Sequence, residues 1–220
     1  MHYFSGITTS LACFVAVAAA SPITGTSSYG QLNRRQPVPS SSAAAAACPT
    51  GSARAAPTLY NLYPARPDAA EAPVTHIEVQ STSSETETRE QAMVVRGVPA
   101  EAKTCTVIWI QAEADERNFV VSGNGLTSVL QLNGFPADGE SISYGAVQPY
   151  IEASTTPERR HADFTRWDLP QYGAANHTLG PYSCAENMYF HLSIDKEESG
   201  EGHVYFDQDD KNGFFVEYSC

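Results

Sequence analysis

The chain has 220 residues, 42% of them apolar, with a formal charge of −12 and five cysteines. That apolar content can form a globular core. A surface this acidic repels phosphate backbones and anionic lipid heads, which argues against nucleic acid or a membrane surface as partner and leaves cations, neutral glycans or basic proteins.

Residues Phe4 to Ala20 form a mostly apolar, uncharged run that ends in Ala18-Ala19-Ala20 before Ser21-Pro22. The run is shorter than the roughly 20 apolar residues that span a bilayer, and its small-residue exit has the form of a secretory cleavage site. Arg34-Arg35 is a dibasic pair of the kind cut by Golgi processing proteases. We therefore expect a signal peptide over 1–20, a propeptide over 21–35 cleaved at Arg34 and Arg35, and a mature chain starting at Gln36. With 11 Lys plus Arg and 25 Asp plus Glu, the mature chain has a formal charge of −14. The ending Glu217-Tyr218-Ser219-Cys220 is polar and aromatic, so no lipid-anchor tail and no membrane anchor are expected. The expected location is outside the cell, free or wall-associated.

Export changes how the cysteines read. Cys13 leaves with the signal peptide, and Cys48, Cys105, Cys184 and Cys220 remain. An even number in an oxidising compartment implies two disulfides, with three pairings available. None is in a C-x-x-C arrangement, so no zinc or redox site, and no cofactor, is expected.

Segment 36–56 is rich in Pro, Ser and Ala and reads as a linker open to O-glycosylation, or, over Ala43–Ala47, as a short helix. From Pro57 the pattern has period two. Strand signals follow at Val74–Gln80, Gln91–Arg96, Thr104–Ile110, Asn118–Val121, Ser128–Leu132, Ser141–Tyr150, Asn187–Ile194, His203–Asp207 and Phe214–Tyr218. On Thr104–Ile110, Cys105, Val107 and Trp109 share one face while Ile108 and Ile110 take the other, so this strand is expected to be covered on both sides. On Asn187–Ile194, Met188, Phe190, Leu192 and Ile194 point inward and Tyr189, His191 and Ser193 outward. Gly123-Asn124-Gly125 reads as a hairpin turn, and Asp207–Gly213 as a turn ending in Asn-Gly. No helical stripe of three turns is evident after residue 57. Eight or nine short strands separated by Gly, Pro and Asn predict an all-β, antiparallel sandwich over 57–220. Domain termini often lie close together, which pairs Cys48 with Cys220 and leaves Cys105 for Cys184.

Leu59-Tyr60-Asn61-Leu62-Tyr63-Pro64, Lys103 to Trp109, Ser183-Cys184 with the strand after it, and the ending Val204 to Cys220 together resemble a fungal secreted family. That family is named for the C-terminal domain of a ubiquitin-three-binding protein, a binder of a ubiquitin-like-modifier activating enzyme. The resemblance spans roughly Cys48 to Cys220 and implies a β-sandwich. The cytosolic partner in the family's name does not carry over to a chain with a signal peptide and paired cysteines.

The search for chemistry is mostly negative: there is no G-x-S-x-G elbow, H-E-x-x-H or P-loop. His76, His191 and His203 fall on polar strand faces, where they are solvated unless two meet across adjacent strands as metal ligands. Asp207–Gly213 is oxygen-rich enough for Ca²⁺, but turn chemistry demands the same residues. A carboxylate pair for glycoside hydrolysis has no distinctive spacing among 25 acids. Segment 152–182 reads as a long loop carrying Arg159, Arg160, His161, Asp163, Trp167 and Tyr172. There Trp167 and Tyr172, with His161, can stack and bind a sugar ring, or Trp167 is the loop's buried anchor. Asn176-His177-Thr178 is a glycosylation sequon, expected on a surface loop. The function expected from these features is a non-catalytic extracellular interaction module for an unknown protein or glycan. A glycan-binding module and a carboxylate-dependent hydrolase are the alternatives.

Overall fold

A computed structural model describes residues 50–154, 159–165, 173–195 and 200–220. These belong to a compact unit spanning 43–220. The expected signal peptide, the propeptide with Arg34 and Arg35, Cys48, Trp167 and Tyr172 lie outside the described residues.

In chain order the elements are β1 (Ser52–Ala55), β2 (Thr58–Leu62), β3 (His76–Ser81), β4 (Glu90–Arg96), β5 (Thr104–Gln111), β6 (Phe119–Gly123), β7 (Leu126–Leu132), α1 (Tyr144–Ala153), β8 (Arg159–Asp163), β9 (Ala175–Tyr182), β10 (Asn187–Ile194), β11 (Gly202–Asp207) and β12 (Gly213–Ser219). The fold is all-β. The strands form a five-stranded sheet β2-β4-β10-β7-β8, a four-stranded sheet β1-β12-β5-β9 and a three-stranded sheet β3-β11-β6. Neighbouring strands run antiparallel throughout.

One core joins the three sheets. The alternation of β10 puts Met188, Phe190, Leu192 and Ile194 inside, where they meet Val107, Trp109 and Val216 of the four-stranded sheet and Ile77, Val79 and Phe206 of the three-stranded one. Phe164, just past β8, is fully buried. Its ring stands edge-on to Trp109, 4.6 Å between centroids at 86°, and it also touches Phe119, Phe206 and Phe214. Cys105 and Cys184 are joined by a disulfide as expected, spanning 79 residues. Cys220 is also disulfide-bonded. β5 is buried on both faces as expected, with Ile108 and Ile110 grouped with Phe215 on the outer side.

Among the described residues there are twelve strands, against the expected eight or nine. Of the extra ones β1, β2 and β8 are short, and β1, β8 and β9 are held by backbone pairing, without the apolar alternation that reveals a strand in sequence. β1 lies inside segment 36–56, read as linker, and pairs with β12 from Ser52 opposite Ser219 to Ala55 opposite Val216. Segment 152–182, expected as a loop, contains β8 and β9.

Residues Ser141–Tyr150 are not a strand. Ser143 caps α1, its Oγ accepting from the Ala146 amide at 3.3 Å. Tyr144, Val147 and Ile151 fall three and four apart, a helical stripe just under three turns long. Val147 packs on Leu62, Ala92, Leu130 and Leu132, covering the outer face of the five-stranded sheet. Pro149 inside the helix masked the pattern.

Gly123-Asn124-Gly125 is not a hairpin. It carries the chain from β6 in the three-stranded sheet to β7 in the five-stranded one. Asn124 is buried there, its side chain donating to the Asp195 carbonyl and accepting from the Leu126 amide, both at 2.8 Å. The backbone at Gly202 passes so close that a Cβ there would lie 1.9 Å from the Asn124 carbonyl oxygen, so only glycine fits. The turn at 207–213 likewise joins strands of different sheets, β11 and β12.

Two measurements test this core. Phe164→Ala should lose about 3–5 kcal/mol in urea unfolding, the range for a large aromatic removed from a packed site. Replacing Cys105 and Cys184 together by Ala should lose about 4 kcal/mol in the chain-entropy account of a loop this long, read as a lower midpoint with a steeper slope as the unlinked denatured state expands.

Candidate functional site

The densest polar constellation lies on the outer face of the three-stranded sheet. Period-two alternation puts His76 and Glu78 of β3 on one side, and the register places Tyr205 opposite Glu78 and His203 one pair further along. His203 Nε2 lies 3.3 Å from Glu78 Oε1 and His76 Nε2 lies 3.6 Å from Glu78 Oε2. Arg89, which bridges to Gln80 through its backbone, forms an ion pair with the same carboxylate. The His76 ring stacks on Tyr205 at 5.2 Å and 28°. Burial, with the charges of Asp207 and Glu78, holds the Tyr205 phenol above its ordinary value.

Glu78 connects inward through a fully buried amide. Gln91 accepts from the Glu78 backbone amide at 3.0 Å and donates to Asn61 Oδ1 at 2.9 Å. Asn61 and Tyr63 in turn donate to Glu71, the Tyr63 hydroxyl at 2.8 Å. That hydrogen bond holds the Glu71 carboxyl below the ordinary carboxylate range. Burial and the same bond push the Tyr63 phenol up. The Arg66 guanidinium lies 4.3 Å from the centre of the Tyr63 ring, a cation–π contact. The acid beside Tyr63 is thus kept ionised, the opposite of what a general acid requires.

Two of the histidines expected on polar faces, His76 and His203, therefore meet across adjacent strands, with Glu78 between them. No group of three His, Cys, Asp or Glu side chains able to hold a metal occurs among the described residues.

His191 is not solvated. It is buried beneath α1, with Nε2 2.7 Å from Glu90 Oε2, because the helix covers the sheet face that alternation had marked as outer. His161, on β8, keeps 42% of its side chain exposed and meets Asp195 at 2.6 Å. Ser128 lies opposite His161 in the β7–β8 register, but its buried hydroxyl makes no hydrogen bond. The serine-to-histidine link of a nucleophilic triad is absent from these three residues.

Asn176 is on strand β9, not on a loop, and is exposed. His177 turns to the other side and stacks on Trp109 at 4.2 Å and 17°. Burial holds its imidazole below the ordinary value.

The acidic turn closes on itself. Asp209 Oδ1 accepts from the amides of Lys211 and Asn212 at 2.8 and 2.7 Å. Asp207 accepts from the Asn118 amide at 2.9 Å, and the Asn212 side chain accepts from the Ala112 amide at 2.8 Å. Burial raises the Asp209 carboxyl, but these hydrogen bonds and the Lys211 charge outweigh it and leave it below the usual range.

Sequence reading found His76, His203 and His161 but missed their partners. Glu78, two residues after His76, was legible as a neighbour on the same polar face. Gln91 and Asp195 carried no signal, since their roles depend on register between distant strands. The comparisons add no relative: no family model matches the chain, and no curated protein does. Among the described residues no helix is long and apolar enough to cross a membrane.

His177 gives a pH test. Its folded pKa lies below the unfolded one, so its contribution is full above about pH 6.5 and is lost as pH falls toward the folded value. His177→Phe should remove that part of the acid sensitivity, measured as a smaller drop in urea midpoint between pH 8 and pH 5.

Proposed function

We propose that this chain is a secreted, non-catalytic β-sandwich that works as an extracellular interaction module at a cell surface or wall. In this reading Cys48 pairs with Cys220, and the domain belongs with the fungal secreted proteins it resembles. The observation that carries it is the state of the polar side chains. Glu78 with His76, His203 and Arg89, Glu90 with His191, and Asp195 with His161 are all engaged in close polar contacts. Such contacts fix a surface, and the sequence beside them carries no G-x-S-x-G, H-E-x-x-H or P-loop motif. The Cys105–Cys184 bond fits an oxidising compartment.

Glycan binding is the second reading. The observation favouring it is the exposed His161 on β8, held by the buried Asp195 and a few residues before Trp167 and Tyr172 in the chain.

The domain from Gln36, folded under oxidising conditions, separates the readings. On a polysaccharide array the interaction-module reading expects no retention, and no release of reducing sugar from wall extracts. Retention that Trp167→Ala reduces at least tenfold with an unchanged melting temperature establishes glycan binding instead. Sugar release abolished by Glu71→Gln or Glu78→Gln overturns the non-catalytic reading.

A further inference from the structure

The sequon at Asn176 sits in an unusual place for a glycan. Edge strand β9 places Asn176 opposite Ile110 and Thr178 opposite Ile108. The stack of His177 on Trp109 fixes the middle residue inward, so Asn176 and Thr178 both face out on the four-stranded sheet, where both are exposed. Beside Asn176 runs a shallow groove of about 480 Å³, lined by the apolar Ile110, Ala112 and Ala175 and by the charged Arg54, Glu113 and Lys211. Its size falls within the range of small-ligand clefts. A lining of apolar groups and of side chains of both charges suits a pyranose, whose C–H faces are apolar and whose hydroxyls are polar.

We propose that Asn176 carries an N-linked glycan whose first sugar lies in this groove and forms part of the domain's outer cover. The inference rests on the export reading. Attachment joins the Asn176 amide nitrogen to the anomeric carbon of a lipid-pyrophosphate-linked oligosaccharide. The bond from that carbon to the pyrophosphate oxygen breaks, the lipid pyrophosphate leaves with the electron pair, and the amide gives up one proton. The acceptor is an extended Asn-x-Thr that becomes β9 when the chain folds.

The full-length chain is expressed in a secreting eukaryotic host, and medium and cells are analysed separately. Glycopeptide mapping of the exported protein should find Asn176 modified. Asn176→Gln and Thr178→Ala should lose the glycan and about 2–4 °C of melting temperature, while Thr178→Ser keeps both. Trimming to the first sugar should preserve the melting temperature, and complete enzymatic removal should lower it as the substitutions do. Exported, disulfide-bonded protein with unmodified Asn176 overturns the proposal and leaves export standing. So does a glycan whose complete removal leaves the melting temperature unchanged. A chain kept inside the cell with free Cys105 and Cys184 thiols overturns the export reading and the proposal together.

Discussion

Trp109, Phe119, Phe164, Phe206 and Phe214 come from all three sheets or the segments that follow them, and their ring centroids lie 4.6 to 6.1 Å apart. Edge-to-face contacts of this kind fix orientation as well as burying area. The positions of the other elements follow from this junction. Trp109 faces the aromatic group on one side and His177 on the other, which sets β9 against β5 and turns Asn176 outward. Phe164 draws β8 onto the edge of the five-stranded sheet and so brings His161 within reach of Asp195. A sheet pair closed only by aliphatic side chains would leave these relations looser.

Polar groups follow the same geometry. Each strand pairing sets which acid meets which base, and the ion pairs form between residues far apart in sequence, such as Glu78 with His203 and Glu90 with His191. The Gln91 side-chain amide ties the backbone of β3 at Glu78 to the Asn61–Glu71–Tyr63 group. A fully satisfied buried amide of this kind specifies register, because a one-residue slip would strand its donors and acceptors.

Much of this was legible in the sequence where side chains alternate strongly. The strands around Trp109 and Phe190, the inward set on β10 and the Cys105–Cys184 pair follow from period two and chain position. What stayed hidden depended on backbone pairing or on cover supplied from elsewhere. Ser52–Ala55 and Arg159–Asp163 have no apolar stripe, since edge strands need only a neighbour to bond to. His191 read as exposed because nothing in its own strand announces that α1 lies over it. The helix itself was obscured by Pro149 and by the β-forming residues Ile142 and Tyr144, whose local preference yielded to the Ser143 cap and to packing on Leu130 and Leu132.

The pairing of β1 with β12 joins the first described strand to the last. A ribosome delivers Ser52 long before Ser219, so the four-stranded sheet stays incomplete until β12 has been made. Sequence-distant pairing of this sort slows folding and prolongs the exposure of open strand edges. The yield of this domain therefore depends on how well β1 and its neighbours are protected in the interval before β12 arrives.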